Sequence, residues 1–153
     1  MNKIFIACPF IKYINEAGFS NSEFRKFTEN VYDLCSNYAS DVFLALKREE
    51  YGAKQLKKYS CKLDFDEAKN ADLVVAFPDD SMGVAVELGW VSAMGKPVIL
   101  LLNKKQIYTP LVYNIHKITS GKVIFFENDE DKTLKALKEV LDYYKMMMHG
   151  GGE

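Results

Sequence analysis

A single glutamate interrupts an otherwise apolar stretch. Glu87 stands between Gly83, Val84, Ala85 and Val86 on one side and Leu88, Gly89, Trp90 and Val91 on the other. A helix that is apolar on every side belongs inside a protein, where a carboxylate must be paired or must keep its proton. No Lys or Arg lies three or four residues from Glu87. Its own helix face carries Gly83, Val84, Trp90 and Val91, and Gly83 and Gly89 keep the backbone lean enough for a ligand to approach. The plain reading is a helix-edge glutamate that reaches solvent. The chemical reading is a nucleophile or general base beside a cleft.

The elements that must position it follow from the apolar pattern. Residues 3–8 read as a buried strand ended by Pro9, and residues 41–46, 72–77, 97–102 and 122–126 as four more. Ser20 and Glu23 suggest a capping box opening a helix whose core face is Phe24, Phe27, Val31 and Leu34. Residues 48–58 and 62–70 read as helical, the latter entered from Ser60. The Glu87 helix spans 83–94 and stops at Gly95. A final helix shows Leu134, Leu137, Leu141 and Tyr144 on one stripe. Strands alternating with helices predict an α/β fold: a doubly wound, five-stranded parallel sheet in flavodoxin-like order 2-1-3-4-5, with helices on both faces. Ligands in such folds sit beyond the carboxyl ends of the strands, which points to residues 8–10 and 77–83 and to the loops after Leu46 and Leu102.

The chain has 153 residues, enough for one domain over 1–148, with 149–153 expected as a flexible tail. A net charge of −1 with scattered lysines argues against nucleic-acid binding. Three cysteines without ligand spacing and two histidines make a metal site improbable, and the expectation is no metal and no cofactor. The absence of a long apolar run or leader-like start predicts no membrane association and a reduced, cytoplasmic setting.

Ser81, Gly83, Glu87, Leu88, Gly89 and Trp90, followed by Gly95, Lys96 and Pro97, resemble the nucleoside 2-deoxyribosyltransferase superfamily, as does the opening run from Lys3 through Pro9 and Phe10. The stretch Leu63, Asp64, Phe65, Asp66, Glu67 resembles that family's segment carrying a second catalytic aspartate. Within the superfamily, Lys47, Arg48, Glu49, Glu50, Tyr51, with Ala76, Phe77, Pro78, look most like the hydrolases of CMP and hydroxymethyl-CMP in nucleoside-antibiotic pathways.

The resemblance implies Glu87 as nucleophile and Asp64 as the acid that handles protons. A carboxylate beside the anomeric carbon stabilises an oxocarbenium-like state and can form a glycosyl ester that water later opens. Ser81 and Gly83, at a helix start, would cradle a 5'-phosphate; the bland alternative for Ser81 is an N-cap. Phe10 would stack on the base, or simply pack. Arg48 would contact base or phosphate, or lie solvated. Ser120 would reach the phosphate loop of a partner subunit, which implies a homodimer with shared active sites. The family usually carries a Tyr in the first strand; Phe5 here tilts the reading toward a ribonucleotide. Ile11 stands where the hydrolases have an Arg, and Lys12 is the substitute. The implied activity is release of free base from a CMP-like pyrimidine nucleoside 5'-monophosphate. The alternatives are a transferase exchanging bases on deoxyribose and a silent nucleotide-sensing module.

Overall fold

A computed structural model describes residues 1–55, 58, 60–127 and 129–149. The elements run β1 (Lys3–Ala7), β2 (Ile14–Asn15), β3 (Gly18–Phe19), α1 (Ser22–Ser36), β4 (Asp41–Leu44), α2 (Ala45–Arg48), α3 (Ser60–Asn70) and β5 (Leu73–Ala76). They continue α4 (Met82–Ala93), β6 (Val98–Asn103), α5 (Pro110–Tyr113), β7 (Lys122–Phe126) and α6 (Glu130–His149). The main sheet has the order β4-β1-β5-β6-β7, and every pairing in it is parallel. Counted among its own five strands this is 2-1-3-4-5, as the sequence predicts.

Each strand feeds two cores, because successive side chains point to opposite faces. Ile4, Ile6, Leu73, Val75, Ile99 and Leu101 join one core, together with Val31 of α1 and Leu137 and Leu141 of α6. Phe5, Ala7, Val74, Ala76, Val98 and Leu100 join the other, with Ala68 of α3 and Val84, Leu88 and Val91 of α4. Phe5 and Glu87 therefore belong to the same side of the sheet.

Three expectations are corrected. The cap of α1 is Asn21, whose side-chain oxygen accepts from the Phe24 N–H at 2.9 Å, while the Ser20 hydroxyl donates to the Tyr13 carbonyl. Residues 14–19, read as loop, hold the small antiparallel hairpin β2–β3, turned at residues 16 and 17, with Gly18 opening β3 at φ +103. The helix expected over 48–58 does not form: α2 ends at Arg48, and Glu50, Tyr51 and Gly52 all take positive φ. A Cβ at Gly52 would lie 2.6 Å from Ile14 Cδ1, and the Tyr51 ring packs on Phe19 and under the Arg25 guanidinium, so contact with the hairpin overrides helix propensity. The rest of that expected helix includes residues 56 and 57, which lie outside the described residues. α6 runs through His149, one residue into the expected tail; residues 150–153 also lie outside the described residues.

Candidate active site

β5 delivers the chain to the carboxyl edge of the sheet, where Pro78 ends the strand and Ser81 opens α4. The Ser81 hydroxyl accepts from the Val84 N–H at 3.3 Å, so the serine is an N-cap in fact. Gly83 lies one residue into α4, where an added Cβ would touch only the Ser81 hydroxyl, at 3.7 Å. Glu87 follows one turn later. Gly95, with φ +66, ends the helix as expected.

Glu87 has no hydrogen bond or ion pair to a described residue, and it is half-buried, so its carboxyl group loses part of its water. That desolvation pushes its pKa up to about 8; the neighbouring Asp64 charge adds to the rise and Arg48 opposes it. Asp64, on α3, is likewise raised by burial despite the bond to Arg48, whose Nη1 donates to it at 2.9 Å. Arg48 is not a solvated surface residue. It also donates to Glu49, whose side chain is only 8 % exposed, and its guanidinium lies 5.1 Å from the centre of the Phe43 ring. Phe43 stacks on Phe5 at 5.4 Å with the rings 6° from parallel, as the parallel register that sets Phe5 beside Phe43 requires. The structure thus brings Glu87, Asp64, Arg48 and Phe5 to one place on the α3–α4 side. Two carboxyl groups share one cation already engaged by a third, so the pair cannot both ionise cheaply.

Other expected residues fall elsewhere. Phe10 packs against the core of the α1–α6 side. Lys12 pairs with Asp79, which also accepts from the Tyr13 hydroxyl at 3.2 Å, so its ammonium ties the loop after β1 to the loop after β5. Ser120 is exposed, its carbonyl accepting from Tyr144, just before β7 begins. That is the amino edge of the parallel sheet, opposite the edge bearing Ser81, so the two serines do not meet within one chain. Sequence reasoning missed Phe43 and Glu49: only strand pairing sets Phe43 against Phe5, and Glu49 stood in a run of charged residues. Cys8, read as a filler, lies close enough to Glu87 for that charge to help burial raise its thiol pKa well above the ordinary range. Among the described residues no cluster of three metal-ligating side chains exists, and no helix is long and apolar enough to cross a membrane.

Residues 13–148 match the family model described as Nucleoside 2-deoxyribosyltransferase. The chain belongs to that family. It is similar to the CMP N-glycosidase BcmB of Clostridium botulinum, at 27 % identity and a TM-score of 0.63 over 89 % of this chain and 98 % of that one. It is also similar to BlsM, at 28 % identity and a TM-score of 0.70 over 92 % and 91 % of the two chains. A conserved protein from Enterococcus faecalis V583 shares the fold at 20 % identity and a TM-score of 0.57 over 91 % of this chain and 98 % of that one. No curated protein matches the chain. A nucleoside-processing enzyme acting on a small nucleoside-type substrate is the reading these likenesses support together.

Proposed function

We propose that this protein hydrolyses the N-glycosidic bond of a pyrimidine nucleoside 5'-monophosphate such as CMP, releasing free base and ribose 5-phosphate. The observation that carries the reading is Glu87: a desolvated carboxyl group without an ion-pair partner, beside a second acid that is held by an arginine. In the empty site at neutral pH the pair retains a proton. For reaction that proton belongs on Asp64, leaving Glu87 ionised. A Glu87 oxygen then bonds to the anomeric carbon as the C–N bond breaks, and the base leaves with the bonding electrons and takes the Asp64 proton. Water, losing a proton to Asp64, opens the glycosyl ester and restores the pair. The N–H groups at the start of α4, with Ser81 and Gly83, would hold the 5'-phosphate. Phe5 offers no hydroxyl toward the sugar, which supports ribose over deoxyribose. The CMP N-glycosidase among the similar structures supports the same substrate class.

The outer face of α4 supports a homodimer. Met82 is 86 % exposed and Val86 51 %, and Ala85, Gly89 and Ala93 are exposed beside them. This is an apolar strip of the kind that marks an association surface. Two copies of α4 packed antiparallel about a two-fold axis would set the carboxyl edge of one sheet beside the amino edge of the other. Ser120 of one subunit would then approach the Ser81 loop of its partner.

The deciding experiment incubates the protein with the common nucleoside mono-, di- and triphosphates and measures free base by chromatography. CMP without an acceptor should release cytosine. Base exchange on a deoxynucleoside that needs an acceptor base would establish the transferase alternative instead. Light scattering at micromolar protein tests the dimer: Val86→Lys should yield monomer with little base release, and an active wild-type monomer would rule out shared sites.

A further inference from the structure

On the α1–α6 side of the sheet, a run of aromatic rings lines a cavity that the glycosidase reading does not use. Tyr13 meets Phe24 at 4.7 Å between ring centres, Phe24 meets Phe77 at 5.9 Å, Phe77 meets Phe27 at 5.5 Å, and Phe27 meets Phe126 at 5.4 Å. These rings come from the loop after β1, from α1 and from the carboxyl ends of β5 and β7, and they border a space of about 650 Å³. That is the size of an ordinary small-molecule site. None of Glu87, Asp64, Arg48 and Ser81 lines it.

Acids outnumber ammonium groups around this wall. Glu23, Asp79, Glu127 and Glu130 line the cavity against a single ammonium, Lys26. Asp79 is engaged by Lys12, Glu127 faces Lys104 at 3.6 Å, and Glu130 accepts from Asn30. Glu23, in the first turn of α1, faces no cation within ion-pair distance among the described residues. An anion entering this space would meet more carboxylates than ammonium groups. A neutral hydrocarbon would cover the carboxylates and return nothing to them. A cation is drawn by the excess of acids, and the aromatic lining packs the apolar body that carries it.

We propose that this cavity is a second small-molecule site, distinct from the Glu87 site, that takes an organic cation: a protonated or quaternary amine carried on an apolar body. The rings hold the body and the flanking carboxylates orient the charge.

The test titrates the full chain with benzyltrimethylammonium by calorimetry, with phenylacetate as the anion of similar shape. The expected result is one bound cation per chain, with phenylacetate at least roughly tenfold weaker. Glu23→Gln combined with Glu127→Gln, both exposed positions, should weaken the cation about tenfold while the melting temperature stays near wild type. Phe126→Leu, which keeps the bulk and removes a ring, should weaken it severalfold and serves as the deciding variant if the double substitution fails to fold. Equal binding of phenylacetate overturns the proposal, as does no cation binding up to millimolar concentration or unchanged affinity in the variants. A repeat at saturating CMP separates the two sites: displacement of the cation would make the cavity part of the nucleotide site and overturn the proposal. Cation binding measured without nucleotide stands or falls independently of the glycosidase reading.

Discussion

Ile4 and Ile6 point from β1 into the core under α1 and α6, while Phe5, between them, points toward α3 and α4. The two sides of one sheet are thus made from alternate residues of the same strands, and they differ in what closes them. Under α1 and α6 the middle of the sheet is covered by leucines, Leu137 and Leu141, and the acids of that side stand at the rim of the ring-lined cavity. The α3–α4 side ends in Glu87, Asp64 and Arg48, titratable groups held half-buried. One side converts burial into stability. The other holds a carboxyl group whose desolvation raises its pKa, the feature on which the proposed chemistry rests.

The largest expected effect lies on the charged side. Glu87→Gln should lower base release from CMP by roughly 10⁴-fold or more, with nucleotide still bound, because it removes an interaction realised in the transition state. Turnover and equilibrium binding measured on the same preparation check this. Wild-type rates in that variant on every nucleotide would end the glycosidase reading. Asp64→Asn should cost less, roughly 10²- to 10³-fold, as befits a proton-handling residue.

The opposite side should answer in the opposite way. Leu141→Ala, at a fully buried position, should lose about 2–5 kcal/mol of stability in denaturant unfolding. Its activity per folded molecule should be unchanged. A large loss of turnover there, with stability intact, would break the division between the two sides.

The pH dependence sharpens it. Burial raises the Glu87 pKa from its ordinary 4.5 to about 8, so the unfolded chain releases this proton well before the folded one. Its contribution to stability is full below about 4.5 and is lost as pH rises toward about 8. Glu87→Gln should flatten that part of a melting-temperature profile. On the same titration kcat/KM for CMP should fall as pH rises through about 8, where the pair gives up the proton that Asp64 passes to the departing base.

The smallest effect belongs to Ser81→Ala. Loss of the cap on α4 should cost about 1 kcal/mol of stability. If the serine also holds phosphate, KM for CMP should rise while turnover of cytidine stays as it was; equal change on both substrates would leave Ser81 as a cap alone.

The strands and their partner helices were legible in sequence because burial on both faces leaves continuous apolar runs, as in residues 72–77, and because Pro78 and Gly95 mark stops by covalent geometry. Glu87 was legible too, since one charge in an apolar helix conflicts with its surroundings. Arg48 looked like a surface residue in a charged run, and only the fold shows it bound between Glu49 and Asp64. The turn at Glu50, Tyr51 and Gly52 was hidden for a similar reason: local propensity favours helix there, and contact with Ile14 and Phe19, more than thirty residues earlier, decides against it.

The sequence by itself determined the five strands of the main sheet, which helix is apolar but for one residue, and that Glu87 is out of place in it. Those properties depend on residue type and on periods of two and 3.6, which any chain carries in its own order. Tertiary structure alone decided that Phe43 would lie on Phe5, that Arg48 would meet Asp64, and that aromatic rings from four separate segments would border one cavity. Such contacts join residues distant in the chain, and their energies exist only once the sheet has set its order and register.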